Sequence, residues 1–275
     1  MNGHRVIVGG PQAANYGGGR VCPPPYPTAQ ADAFVPTLAA GDDEAEKAPL
    51  NAGGSGEPLT GFRANRDHDL FWAAPASGVH QLVDGGVEGW RQGMRRHQGA
   101  ACLHLLGTAT PALQSSAQLF ALPFVPAAIA RERERFGAYA TRTMGGNLLA
   151  DMLQEEVRRR ERVVAIDDDA VLLAAFAARV PYQLMLVPRT ARMRFEDEGP
   201  SGQELLQDAL ARLSRRLDDA EVDLWVRTAP QGAEHFCWRI DIAPRFSAPA
   251  GLEQGTGVAV NPVAPELAAA ELRDI

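Results

Sequence analysis

The chain has 275 residues, 45% of them hydrophobic, enough for one large or two modest domains with a real core. Its 27 basic residues against 34 acidic give a formal charge of −7, which argues against nucleic acid or an acidic membrane as partner. No apolar run approaches the ~20 residues of a bilayer span, and MNGHRVIVGGPQ lacks a signal-like hydrophobic stretch, so a cytoplasmic address is expected.

Residues 1–60 are rich in Gly, Pro and Ala and keep no period of 2 or 3.6, so they read as long loops. GVHQLVD then reads as a short strand, and Val87, Trp90 and Met94 fall at helical spacing. ACLHLLG and LQSSAQLFALPF alternate like strands. LLADMLQEEVRRRERV carries Leu148, Leu149, Met152, Leu153 and Val157 on one helical stripe. DAVLLAAFAA and PYQLMLVPR read as strands, and Ser201 with Glu204 predicts a capping box ahead of the helix through Leu205, Leu210 and Leu217. VDLWVRT and FCWRIDIAPR follow as strands, and Pro265 suits the first turn of a closing helix. RERERF and EEVRRRER read as solvated, charge-laced helix faces, and Trp90, Trp225 and Trp238 as core aromatics.

The order of elements repeats, which predicts an α+β fold of two similar units, 61–128 and 129–275, around a mostly antiparallel sheet. Alternation along a strand puts Gln114, Ser116 and Gln118 on one face. In the corresponding last strand Cys237, Arg239 and Asp241 share a face, while Trp238, Ile240 and Ile242 make the core face. The Arg–Asp face is either a solvated surface or one that meets a ligand.

Several stretches taken in order resemble the galactose-1-phosphate uridylyltransferases, built from two histidine-triad-like halves. They are GVHQLV, AQLFALPFVPAAIARERERF, VPYQLMLVPR with RFED, LWVRTAP, GAEHFCWRIDIAPR and GTGVAVNPVAPELAAAELR, roughly residues 62–273. The resemblance implies a nucleotide-sugar enzyme with a His-Pro-His-x-Gln strand, whose second histidine attacks the α-phosphate and carries the nucleotide as a phosphoramidate. Aligned on this chain, the motif falls on Gln114-Ser115-Ser116-Ala117-Gln118. Ser116 stands at the nucleophile position, Gln114 at the first histidine, and only Gln118 is retained. A serine hydroxyl is scarcely ionised at neutral pH and needs a base beside it.

The metal positions implied by the resemblance depart in the same way. Cys22 has no partner thiol, Met144-Gly145-Gly146-Asn147 stands at a second cysteine pair, and Arg239 and Asp241 stand where relatives have His-x-His. No metal and no cofactor is expected. The resemblance leaves binding roles for Asn65, near the nucleotide in relatives, for His80 in GVHQLV, and for His235 at the strand entrance. His104 on ACLHLLG is a candidate base if the sheet brings it beside Ser116. The GLEQGTGVAVNP loop with Asn261 resembles a segment that reaches a neighbouring site, which implies a homodimer.

Three readings stay open. The cleft is reused for non-ancestral small-molecule chemistry in a biosynthetic pathway, with Ser116, Gln118 and Asp241 as catalytic candidates and Gln114 and Arg239 beside them. Or the chain is a nucleotidyltransferase or phosphohydrolase using Ser116 or water, or a non-catalytic binding protein. In each the partner is a small molecule: a nucleotide, a nucleotide sugar or another metabolite.

Overall fold

A computed structural model describes residues 6–8, 68–72, 86–109, 116–246 and 251–275. The strands are β1 (Val6–Val8), β2 (His68–Trp72), β3 (Cys102–Ala109), β4 (Ser116–Leu122), β5 (Val163–Ile166), β6 (Ala170–Ala174), β7 (Leu184–Pro188), β8 (Val222–Arg227), β9 (Arg239–Pro244) and β10 (Ala259–Asn261). The helices are α1 (Val87–Arg96), α2 (Ala127–Thr143), α3 (Leu148–Arg159), α4 (Gln203–Arg216), α5 (Gly251–Thr256) and α6 (Pro265–Arg273). Eight strands form one sheet in the order β2-β4-β3-β8-β9-β7-β6-β5, with every neighbouring pair antiparallel. The short β1 and β10 pair in parallel apart from it. The result is an α+β fold.

Two buried clusters show how the sheet is covered. On one face α1 contributes Val87, Trp90 and Met94, α4 contributes Leu205, Leu206, Leu210 and Leu213, and α6 contributes Ala268, Ala269 and Leu272. They pack on Leu105, Leu119, Leu172, Leu184, Leu224, Ile240 and Ile242, so one core runs along the sheet. On the opposite face α2 and α3 bring Phe136, Leu149 and Leu153 against Val163, Val171, Leu173, Met185 and Val187. Strands β6 and β7 are therefore buried at every position, which is why AVLLA and LMLVP are apolar throughout. Strands β3, β4 and β8 have described helices on one face only, and their burial alternates residue by residue.

The order β2-α1-β3-β4 recurs as β7-α4-β8-β9, and the two runs meet where β3 lies antiparallel to β8. Several local expectations need correction. A strand occurs at His68–Trp72, while GVHQLVD lies outside the described residues. Val6–Val8 is extended within the stretch read as loop. The helix in LLADMLQEEVRRRERV ends at Arg159, because Arg160 takes a left-handed conformation and Val163 opens β5. Its start is capped by Asn147, whose Oδ1 accepts from the backbone N–H of Leu149 and Ala150, both at 3.2 Å.

The capping box at Ser201 does not form. The N-cap of α4 is Gly202 at φ 66°, and no side chain caps it. Ser201 sits one residue too early, its Oγ accepting only from the N–H of Gln203 at 3.3 Å. The backbone needs glycine here twice over: φ is positive, and a Cβ would lie 2.7 Å from Leu186 Cδ2. Among the described residues no helix is long and apolar enough to cross a membrane. Gly202→Ala is expected to cost about 1–3 kcal/mol in urea unfolding through strain and overpacking. Ser201→Ala should cost under about 0.5 kcal/mol, since Ser201 caps nothing.

Candidate functional site

Alternation sorts the strands beyond α2 into a core face and a half-buried face. On β8 the core takes Val222, Leu224 and Val226, which turns Asp223, Trp225 and Arg227 to the other side. On β4 the same rule exposes Ser116, Gln118 and Phe120, and on β3 it exposes His104, Leu106 and Thr108. Register then aligns these side chains in rows across the sheet. Gln118, Leu106, Trp225 and Asp241 form one row, and Ser116, Thr108, Asp223 and Ala243 the next. Phe120 pairs with His104, and Arg227 pairs with Arg239.

The border with α2 is an ion-pair cluster. Arg239 lies between Asp241, which accepts from its Nε at 3.1 Å and 3.2 Å, and Glu132 of α2, which accepts from Nη1. The Arg239 and Glu132 side chains are 16% and 18% exposed, so this pair is well shielded from water. Burial works against the guanidinium's charge, but the carboxylates of Asp241 and Glu132 overcome it and raise its pKa above the ordinary value. Asp241 also lies 3.8 Å from Arg227. Its carboxylate is thus the counter-ion of two arginines and is not a free base.

Next to Ser116 the polar groups are equally committed. Thr108 Oγ1 donates to Asp223 at 3.0 Å, and Asp223 accepts from Arg245 Nε at 2.6 Å and Nη2 at 2.7 Å. His104 is held neutral: burial, and then the positive charge of Arg227, lower its pKa to about 4. Ser116 faces Thr108 while His104 faces Phe120, which separates them by four residues, about 13 Å along the strand. The expectation that His104 serves as base to Ser116 is therefore overturned by register.

Among the described residues four buried nitrogens have no hydrogen-bond acceptor: Arg91 Nε, Trp238 Nε1, Trp225 Nε1 and Arg227 Nε. Each unmet buried donor costs about 1–3 kcal/mol. The first two belong to side chains that pack on the Phe195 ring, Arg91 at 4.9 Å from its centroid and Trp238 edge-to-face at 5.1 Å. The other two lie on the half-buried face.

No protein-family model matches the chain. It is 26% identical over 170 residues to an ADP-glucose phosphorylase of Arabidopsis thaliana, covering 58% of this chain and 47% of that one. It is 28% identical over 131 residues to a galactose-1-phosphate uridylyltransferase of Cryptococcus neoformans, covering 44% of this chain and 34% of that enzyme. The chain thus spans half or less of these curated relatives. A crystal structure of the Arabidopsis thaliana ADP-glucose phosphorylase, with bound ADP-glucose, superposes with a TM-score of 0.64 at 21% identity over 76% of this chain and 73% of that one. The chain is similar in sequence to these enzymes and has the fold of the solved uridylyltransferase-like structures.

Within this uridylyltransferase-like fold the structure brings Ser116, Gln118, His104, Arg239 and Asp241 to one sheet face. Gln114, Asn65 and His80 lie outside the described residues. His235 is exposed in the turn before β9. Asn261 is 1% exposed and its amide is engaged in the fold: Nδ2 donates to the carbonyls of Ala178 and Val180, and Oδ1 accepts from Val263. Two readings of the charged runs are corrected. Glu132 in RERERF is the partner of Arg239, and Glu156 in EEVRRRER is buried against Arg162. Trp225 is not a core aromatic like Trp90 and Trp238 but part of the half-buried face.

The described residues at the positions of the second-unit metal ligands implied by the resemblance are Arg239 and Asp241, bonded to each other. Among the described residues no group of three or more His, Cys, Asp or Glu side chains comes together. Arg239 lies between Asp241 and Glu132, and Arg227 is 3.8 Å from Asp241. Burial also pushes the Cys102 and Cys237 thiols up to about 11, away from the thiolate that binds metal.

Glu132→Gln leaves a shielded arginine with one carboxylate, and is expected to cost about 2–4 kcal/mol in urea unfolding. Glu155→Gln on the exposed face of α3 should leave the midpoint unmoved, although Glu155 bonds two arginines. A second prediction concerns pH. His104 binds a proton near pH 6.5 when unfolded but only near pH 4 when folded, so the unfolded chain holds the extra proton in between. Stability from this group is full above pH 6.5 and falls as pH drops to 4, by about 3 kcal/mol in all. His104→Gln should flatten the stability profile over pH 4–6.5 by up to one proton, as measured by denaturant titration at each pH.

Proposed function

We propose that this chain binds a nucleotide sugar or a related phosphorylated metabolite on the half-buried face of β3, β4, β8 and β9, and does not use the family's covalent exchange through histidine. The reading rests on one observation: Ser116, at the nucleophile position, pairs with Thr108, whose hydroxyl is already bonded to Asp223, and Asp223 to Arg245. A hydroxyl without a base does not form a nucleotidyl ester at a useful rate, and such an ester transfers poorly. Gln118 keeps its amide on this face, where it suits phosphate oxygens. The ligand class is supported by the ADP-glucose bound in the similar phosphorylase structure.

Any chemistry in this reading is direct transfer or a reaction outside the ancestral one, with binding by fixed dipoles and charges. The chain belongs to two units, 61–128 and 129–275, with the ligand where β3 meets β8. The exposed Leu252 and Val260 on α5 and β10 support the homodimer that the GLEQGTGVAVNP segment implies. Calorimetry with ADP-glucose and UDP-glucose is expected to show saturable binding, and intact mass after incubation to show no nucleotidyl adduct. An adduct that vanishes in Ser116→Ala would restore covalent exchange. Absence of binding by every nucleotide sugar and hexose phosphate tried would remove the ligand class.

A further inference from the structure

Strand β8 carries two polar side chains, each with a buried nitrogen that no acceptor satisfies among the described residues. Trp225 and Arg227 stand at i and i+2 on the half-buried face, about 7 Å apart at their Cα atoms. Trp225 Nε1 and Arg227 Nε are buried and have no acceptor. The two other unmet donors, on Arg91 and Trp238, have the Phe195 ring beside them, whereas no ring contact serves Trp225 or Arg227 among the described residues. The nearest anion to Arg227 is Asp241 at 3.8 Å, and Asp241 bonds Arg239 at shorter range. Arg239 in turn has both Asp241 and Glu132. One arginine of the pair is therefore saturated and the other is not.

We infer that Trp225 and Arg227 form a subsite for the phosphoryl group of the ligand, on the second unit's side of the sheet, across Leu106 from Gln118. The inference deepens the proposed function and rests on it for the ligand class. Two N–H donors on one strand face, one of them cationic, suit a tetrahedral oxyanion, which accepts from both at once. His104 on the neighbouring β3 is close enough to Arg227 for its positive charge to lower the imidazole's pKa. Arg227 binds the anion as a fixed charge. Trp225 supplies a donor from an indole that cannot accept, so it selects for oxygens carrying lone pairs and against donor groups.

The test reads the indole N–H directly. The protein has four tryptophans, and the Trp225 resonance is the one missing from the 15N spectrum of Trp225→Phe, a change that keeps the ring and removes the donor. Inorganic phosphate, pyrophosphate and ADP-glucose are titrated separately, to tell free phosphate from a phosphate within a nucleotide. The expected result is a downfield shift of that resonance with at least one of these probes. Affinity should fall about fivefold in Trp225→Phe and about tenfold or more in Arg227→Gln. The subsite is overturned if no phosphoryl probe moves the Trp225 resonance, or if the probe that binds does so equally well in both variants. If Arg227→Gln fails to fold, the wild-type shift and the Trp225→Phe affinity decide alone. Binding of ADP-glucose without a Trp225 shift rejects the subsite and keeps the proposed function. Binding of pyrophosphate with the shift, and of no nucleotide sugar, keeps the subsite and rejects the ligand class.

Discussion

A buried guanidinium sets the layout of this molecule. Arg239 opens β9 in a position largely shielded from water, and a charge there is tolerated only if anions surround it. One carboxylate comes from its own strand, two residues on, and the other from α2 across 107 residues of sequence. The second requirement places α2. With Glu132 fixed on Arg239, Phe136 one turn along reaches Phe236 at 4.8 Å, and the helix joins the cluster over β5, β6 and β7. Such an ion pair adds little net stability over an apolar contact, but it penalises any other placement of the helix. The edge of α2 is therefore the edge of the site, and the sheet beyond it is left half-buried.

The repeated order of elements puts different side chains on the two sides of the β3–β8 junction. Ser116 and Gln118 open β4 as Arg239 and Asp241 open β9, each pair two residues apart on the same face. The first pair is neutral and the second is charged. Where β3 meets β8 the neutral side is closed by Thr108 on Asp223, a bond that Arg245 reinforces from the turn after β9. On the charged side Arg227 Nε has no hydrogen-bond acceptor among the described residues. Hydrogen bonding thus relaxes one side of the junction and leaves the other unmet, an asymmetry that the backbone alone would not predict.

Much of the fold was legible because it follows from periodicity. Trp238, Ile240 and Ile242 declare the core face of β9, and Val222, Leu224 and Val226 declare that of β8. The same alternation placed Asp223, Trp225 and Arg227 on the opposite face, a signal missed when Trp225 was grouped with the other tryptophans as core. Register is different in kind. Whether His104 faces Ser116 or Phe120 depends on how two strands are offset, and neither strand's own pattern encodes that offset. Glu132 was illegible for a related reason: RERERF has the look of a solvated face, and its one shielded member is identified only by a partner far along the chain. The start of α4 misled locally, since Ser201 and Glu204 have capping-box spacing but Gly202 holds the left-handed turn that begins the helix.

Among the described residues of this face, the acidic side chains are engaged by arginines and the one imidazole is held neutral. Asp223 and Asp241 are carboxylates held by arginines. His104 is neutral at pH 7, but an imidazole whose pKa is lowered to about 4 is a weak base and a correspondingly weak nucleophile. The groups that remain are fixed donors: the Gln118 amide, the Trp225 indole and the Arg227 guanidinium. Fixed donors stabilise charge that develops on a bound phosphoryl group without exchanging protons with it. Under the proposed function, a reaction on this face brings its own nucleophile already ionised, such as a phosphate or carboxylate, or takes place where the protein only positions the reactants.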